Sequence, residues 1–341
     1  MIGEGVAGLS VAGARAPGLA HAPHAERRTY AALDLGTNNC RLLIARAEGG
    51  QLTVVDAFSR IVRLGEGLAA SGELSGPAMD RAVAAIAVCA EKLRRRNVSL
   101  SRAVATEACR RARNGPAFVE RVRRETGVRL EIIAPGEEAR LAVLGCHHML
   151  EAGDGPALIF DIGGGSTELV LVGGDREADP EILDWSSAPW GVVSLWESAA
   201  GERTGAEAYR AMCERARDAF SRFSARLPRN GGSHRLLGTS GTVTTLASVH
   251  LGLPSYDRRQ VDGLVMPAEA MRGVCGRLSA MTVPERAALP CIGPERADLV
   301  VAGCAILEAI LDLWPAARLG IADRGIREGI LRGLMARADA R

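Results

Sequence analysis

Between Tyr30 and Arg60, short apolar runs alternate with glycine and asparagine turns: YAALDL, GTNN, CRLLIARA, EGGQ and LTVVDAFSR. Runs of this length joined by such turns have the chemistry of antiparallel hairpins, so three strands are expected. The period then changes. After Ser75-Gly76-Pro77, residues Met79, Val83, Ile86, Ala90 and Leu93 recur at helical spacing, which predicts a helix with one buried face. Strand AVAT (103–106), helix AFVERVRRE (117–125), strand RLEIIA (129–134) and helix EEARLAVLGCHHML (137–150) follow in alternation. This order predicts an α/β fold with a mixed sheet.

The second half begins in the same style, with ALIFDI, GGGS, TELVLVGG and a third strand around Ile182 to Trp185. ALDLGTN and IFDIGGG both place an aspartate and a glycine at the end of an apolar strand, and Asp34 and Asp161 are separated by 127 residues. Two related lobes are implied. Beyond Ser194 the pattern is mostly helical, broken by strand RLLGTSG (235–241) feeding helix TVTTLASVHLG, and by strand ARLGIAD leading into the terminal helix GIREGILRGLMARA.

The chain's 341 residues suffice for two domains with a core each. Its composition, 47% apolar and 24% charged, is that of a globular protein, and no apolar stretch is long enough for a membrane span. Residues 1–28 are rich in Ala, Gly, Pro and His, lack the pattern of a secretory signal, and read as a disordered tail. Eight cysteines without a C-x-x-C pair suggest neither zinc nor disulfides, and a cytoplasmic setting.

Charge narrows the chemistry further. The net charge is +2, yet 41 of the basic residues are Arg and only Lys92, in EKLRRR, is Lys. A P-loop needs a lysine directly after its glycines, so any phosphate bound here is held by other means. The basic runs RRR (94–96) and RVRR (121–124) lack interleaved aromatics, and aromatics make up 4% of the chain, so a nucleic-acid stacking surface is not expected. His147 and His148 invite a metal reading, but adjacent helical positions point in different directions, and both are read as structural.

A glycine turn lets backbone N–H groups approach an anion closely. One such turn is ordinary hairpin chemistry. Two of them, one with three glycines, suggest a clasp for a phosphate chain. Asp34 and Asp161 would then lie beside anionic oxygens unless a divalent cation, Mg²⁺ by its preference for oxygen ligands, stands between.

DLGTNN (34–39), DIGGGSTE (161–168) and GTSGT (238–242) resemble the phosphate and nucleoside motifs of the actin, Hsp70 and sugar-kinase superfamily. RLGEGL (63–68), ATEACR (105–110), PGEEARLAVLG (135–145) and ADRGIREGIL (322–331) narrow the resemblance to the exopolyphosphatase and guanosine pentaphosphate phosphatase (Ppx/GppA) family, over about residues 29–335. The resemblance implies two ribonuclease-H-like domains around a cleft, one formed by 29–140 with the C-terminal helix 325–341 and the other by 141–324. It implies that phosphate is held by Asp34, Gly36, Thr37, Asn38 and Asn39, by Gly163, Gly164, Gly165, Ser166 and Thr167, and by Gly238, Ser240 and Gly241. Asp161 and Glu168 match an acidic pair associated with metal, Arg110 an arginine that faces the anionic substrate, and Glu138 the catalytic glutamate. Thr37 and Asn39 stand where serines are common, and Cys109 replaces a leucine. With no His-Asp pair, the chain resembles the short, two-domain form.

The residues leave alternatives beside these roles. Glu137 and Glu138 also suit a solvated first helical turn. A helix start would hold Glu138 in place while lowering its basicity, so water orientation rather than strong base catalysis is expected. Alternation places Ser166, Glu168 and Val170 on one face of their strand, where Glu168 could meet water. RRARN (110–114) also reads as a solvated basic segment. As for function, the first reading is an Mg²⁺-dependent hydrolase that removes terminal phosphate from inorganic polyphosphate or guanosine pentaphosphate. An actin-like filament protein or Hsp70-like ATPase is the alternative from another class. EEAR before the triple-glycine turn and REGIL near the end favour the hydrolase, and a sugar or acetate kinase would need an acceptor pocket that cannot be identified. Oligomeric state, a homodimer included, is left open.

Overall fold

The computed structural model describes residues 28–48, 51–153, 155–174, 180–199, 205–226 and 234–339, so the expected N-terminal tail lies outside the described residues except for Arg28. The first half runs β1 (Thr29–Leu35), β2 (Asn39–Glu48), β3 (Gln51–Ile61), α1 (Leu68–Ser71), α2 (Gly76–Arg95), β4 (Leu100–Ala105), α3 (Glu107–Arg111), α4 (Gly115–Thr126), β5 (Leu130–Ile132) and α5 (Pro135–Cys146). The second half runs β6 (Ala157–Ile162), β7 (Thr167–Gly173), β8 (Glu181–Ala188), α6 (Val192–Ser198), α7 (Ala206–Ser224), β9 (Arg235–Thr239) and α8 (Ser240–His250). It continues with α9 (Arg258–Val261), β10 (Val265–Pro267), α10 (Ala268–Ala280), α11 (Val283–Ala287), α12 (Val300–Leu313), β11 (Arg318–Ala322) and α13 (Ile326–Asp339).

The strands form two sheets, ordered β3-β2-β1-β4-β5 and β10-β11-β9-β6-β7-β8. The internal likeness between DLGTN and DIGGG extends to topology. In each half a central strand pairs antiparallel with the next strand and parallel with the one after the hairpin: β1 with β2 and β4, β6 with β7 and β9. The register is equivalent as well, for Asp34 lies opposite Arg41 and Asp161 opposite Glu168.

Both central strands are buried on both faces, and their alternation sorts residues between two layers. Ala31, Leu33 and Leu35 point toward α2 and α4, while Tyr30 and Ala32 join a second cluster with Leu141 of α5 and Ile330 and Leu331 of α13. In β6, Phe160 and Ile162 face the large core under α8, α10 and α12, whereas Ala157 and Ile159 pack against Ala139, Val143 and Cys146 of α5. Helices α5 and α13 therefore lie between the sheets, and the aspartates share the inward parity of Ala32 and Ile159.

The two inner helices cross at glycines. A Cβ at Gly145 would fall 2.0 Å from the carbonyl oxygen of Gly325, and one at Gly329 2.0 Å from that of Leu141, so only glycine permits this approach. The domain boundary expected at 140/141 falls inside continuous helix α5, whose Leu141 serves the first core and Val143 the second. The start expected at Ser75 is found, its hydroxyl accepting from the Ala78 amide at 3.3 Å with Pro77 in the first turn.

Candidate active site

Two turns with the same closing bond meet at the mouth of the inter-sheet cleft. The Gly36 amide donates to the Asn39 carbonyl at 2.9 Å, and the Gly163 amide to the Ser166 carbonyl at 3.0 Å. The turns abut: a Cβ at Gly164 would stand 3.0 Å from both the amide nitrogen of Asn38 and Cβ of Thr37. The Gly163 and Gly164 carbonyls also accept the Val192 and Val193 amides at 3.0 and 2.8 Å. The glycines thus permit the two turns to touch, and none of the three has a positive φ.

The cleft is lined by Asp34, Gly36, Thr37, Asn38 and Asn39 from the first turn, and by Asp161, Gly163, Gly164, Gly165 and Ser166 from the second. Ser240, at the start of α8, lines it too, with φ of 80°, a conformation costly for a residue with a Cβ. Its hydroxyl hydrogen-bonds to Asp161. Gly241 lines an adjoining recess with Thr242 and Arg296. Two further expected phosphate ligands line neither the cleft nor this recess. Thr167 is fully buried and donates its hydroxyl to the Trp190 carbonyl at 2.7 Å, and Gly238 is a packing glycine, since a Cβ there would stand 2.7 Å from the Phe160 ring.

Glu138, in the first turn of α5, reaches the cleft with only 6% of its surface exposed. The solvated-turn alternative is excluded for this residue. It applies to Glu137, which pairs outward with Arg102 at 2.9 Å and Arg140 at 2.8 Å. The helix start does not govern Glu138's acidity either. Burial, then the neighbouring Glu168, Asp34 and Asp161, hold its carboxyl well above the ordinary range, and Arg110 offsets this only in part. Loss of water and crowding by carboxylates thus act against the lowering of basicity expected from the helix start.

Arg110 is placed differently from expectation. Its Nε donates to Glu107 at 3.1 Å, Nη1 to the Ile133 carbonyl at 2.7 Å and Glu138 at 3.1 Å, and Nη2 to Glu107 at 2.5 Å and Glu138 at 3.2 Å. All five N–H donors are engaged, leaving none for an anion in the cleft. In this arrangement Arg110 holds the Glu138 carboxylate in place from outside the cleft. Arg111, by contrast, is exposed.

Glu168 does not face water, although its strand alternates as expected, because α5 covers the face it shares with Val170. It is buried, accepts from Ser187 Oγ at 2.8 Å and lies behind the cleft wall. Burial and Asp161 push its carboxyl up to about 7, and burial pushes Asp161 up to about 6. Asp34 is likewise raised by burial, and its Oδ1 has no hydrogen-bond partner. Thr37 Oγ1, Asn38 Oδ1 and Asn39 Oδ1 are orphaned beside it.

Five charged side chains that face the cleft carry no assignment from sequence: Arg41, Glu107, Asp323, Arg324 and Arg327. Arg41 and Arg327 line it without an ion-pair partner among the described residues, and Asp323 and Glu107 add carboxylates. The signal for Arg41 was available: it follows Asp34 by seven residues, as Glu168 follows Asp161. The lining holds five carboxylates (Asp34, Glu107, Glu138, Asp161, Asp323) against three guanidiniums (Arg41, Arg324, Arg327). An anion can enter such a site only with protons or a cation compensating the carboxylates. Among the described residues no three His, Cys, Asp or Glu side chains form a metal site unaided. Oxygen donors, an orphaned Asp34 Oδ1 and an incomplete shell fit Mg²⁺, which keeps positions for phosphate oxygens and water.

Duplicated hairpins ending in paired aspartates, abutting glycine turns and a cleft between the sheets define the actin-like ATPase fold. Within it the chain belongs to the Ppx/GppA phosphatase family, whose model matches residues 43–338. It is 32% identical over 322 residues to Exopolyphosphatase 2 of Mycobacterium tuberculosis, covering 89% of this chain and 98% of that protein. Among solved structures, it resembles an Aquifex aeolicus Ppx/GppA family member at 28% identity and a TM-score of 0.75, covering 92% of this chain and 99% of that one. An exopolyphosphatase from Cytophaga hutchinsonii superposes with a TM-score of 0.82 at 24% identity, covering 91% and 98% of the two chains, a likeness of fold. Family membership makes the protein a hydrolase and sets aside the filament and chaperone alternatives. No described helix is long and apolar enough to cross a membrane.

Proposed function

We propose that the protein hydrolyses the terminal phosphoanhydride bond of inorganic polyphosphate, releasing orthophosphate by attack of a water that Glu138 orients. The observation that carries the mechanism is Glu138 itself, buried at the cleft wall, locked by Arg110 and raised in pKa by its surroundings. A carboxylate so placed can align a water and take its proton as the bond to phosphorus forms. The loose transition state of phosphoryl transfer needs little more from a base. Asn38 and Asn39, the amides of the triple-glycine turn, Arg41 and Arg327 would cradle the terminal phosphates.

Asp161 and Asp34, with Glu168 behind them, would hold Mg²⁺, which when bound neutralises phosphate charge and polarises the bond to be cleaved. The name of the mycobacterial relative supports polyphosphate as substrate. Guanosine pentaphosphate, cleaved at its 5′ γ-phosphate, is the second substrate to test, and the recess holding Arg296 and Thr242 is where a nucleoside would lie. Orthophosphate release from long polyphosphate, guanosine pentaphosphate and ATP, each with Mg²⁺ and with EDTA, decides among them. Mg²⁺-dependent release is expected from polyphosphate. Release from ATP alone, or release undiminished by EDTA, would overturn the reading.

A further inference from the structure

Beside the cleft, and sharing Arg324 with it, lies a second groove whose charged lining is His148, Arg258, Arg259, Arg324 and Arg332 together with the carboxylates Asp262 and Glu328. Its centre has an unusual hydrogen-bond pattern. Nε2 of His148 stands 3.3 Å from Arg324 Nη1, and Nδ1 of the same ring 3.1 Å from Arg332 Nη2. A guanidinium only donates, and a neutral imidazole has one acceptor and one donor nitrogen. One of the two contacts therefore sets a donor against a donor. Protonating the ring would do so at both.

Nearby carboxylates do not resolve the conflict. Asp262 accepts from Arg324 Nε at 2.9 Å and from the Asp323 amide at 2.9 Å, and Glu328 from Arg258 at 3.1 Å and the Gly325 amide at 3.0 Å. Arg332 has no carboxylate within ion-pair distance among the described residues. Burial, then Arg332, Arg324 and His147, hold the His148 imidazolium down to about 4, with Asp262 opposing weakly. Asp262 serves Arg324, but among the described residues no carboxylate is within hydrogen-bond distance of the His148 ring or of Arg332.

We propose that His148, Arg324 and Arg332 form an anion-binding site outside the catalytic cleft that takes a phosphate group. An oxyanion with acceptors in several directions satisfies both guanidiniums and lets the imidazole donate as well. The choice of phosphate among oxyanions rests on the hydrolase reading. The group could come from free orthophosphate, the product, or from a phosphate farther along a chain substrate. Because the Arg324 carbonyl accepts the Thr239 hydroxyl at 2.6 Å at the cleft wall, occupancy of either site bears on the same segment.

The test follows the ring C–H resonances of His148 by NMR in full-length Glu138→Gln protein, with His148→Gln identifying the signal. Sodium orthophosphate, short-chain polyphosphate and sodium chloride at matched ionic strength are added in separate arms. The site predicts that orthophosphate or the chain raises the titration midpoint of His148 from about 4 toward the ordinary histidine range, while chloride does not. A response to orthophosphate identifies a product site, and a response to the chain alone a substrate subsite. Arg332→Gln should weaken the response roughly tenfold and Arg332→Lys restore part of it. No movement of the midpoint, or equal movement with chloride, overturns the proposal, as does a response unchanged in Arg332→Gln. Binding is read without turnover, so failed hydrolysis with intact binding would implicate the hydrolase reading alone.

Discussion

Replacing Glu168 by glutamine should stabilise the metal-free protein while impairing the reaction. The carboxyl is 2% exposed and pushed from 4.5 to about 7 by burial and by Asp161. Below pH 4.5 the folded and unfolded chains both hold the proton, so its ionisation costs nothing. Between 4.5 and about 7 the unfolded chain has released a proton that the folded protein keeps, so stability falls as pH rises, and above 7 the full penalty is present. The gap corresponds to about 3 kcal/mol at pH values near 8. Glutamine keeps the shape and still accepts the Ser187 hydroxyl, but carries no charge. For a protein of this length a gain of about 3 kcal/mol raises Tm by roughly 4 °C. Thermal unfolding in EDTA, followed by calorimetry near pH 8 and near pH 4, measures it. The variant should be more stable at the higher pH and equal to the parent at the lower. No gain at high pH, or the same gain at both, would show that charge burial is not the cause. Phosphate release with Mg²⁺ should meanwhile fall, because a group that costs stability when the site is empty is retained for what it does when filled.

Two further substitutions separate positioning from binding. Arg110→Gln should lower kcat about 10- to 100-fold with KM little changed, and move the acidic limb of the pH–rate profile upward as Glu138 loses its countercharge, with Arg110→Lys recovering part of both. A raised KM with kcat intact would instead make Arg110 a substrate ligand. Arg41→Gln should raise KM for polyphosphate about tenfold or more and flatten its salt dependence, and an unchanged KM would remove Arg41 from the binding site.

The frame of this cleft was legible in the chain because glycine turns and strand alternation are local features, whereas roles for Glu138, Arg110 and Glu168 came only with the family resemblance. The Asp34 and Asp161 turns, the strands carrying them and the helix bearing Glu138 all follow from short-range pattern. What escaped depended on the layer above. Alternation put Glu168 and Val170 on one face correctly, but whether that face met water or a helix was decided by α5, which belongs to the other half of the topology. Arg110 looked like part of a basic run, yet Glu107 one turn earlier and Glu138 from another element fix its role. Beyond Ser194 the two strands at 235–239 and 318–322 were found in the sequence, but most of the helices around them were not delimited. Helix α12, apolar on nearly every side because it is buried on nearly every side, has no amphipathic period to reveal its length.

In the proposed reaction Glu138 acts on the attacking water and not on the grip of the substrate. The measurement that tests it most directly is the rate of orthophosphate release from long polyphosphate at saturating Mg²⁺, for the parent protein and Glu138→Gln, alongside equilibrium binding of the same polymer. The account predicts a fall in kcat of about 10²- to 10⁴-fold with binding retained. Release within a few-fold of the parent would contradict it.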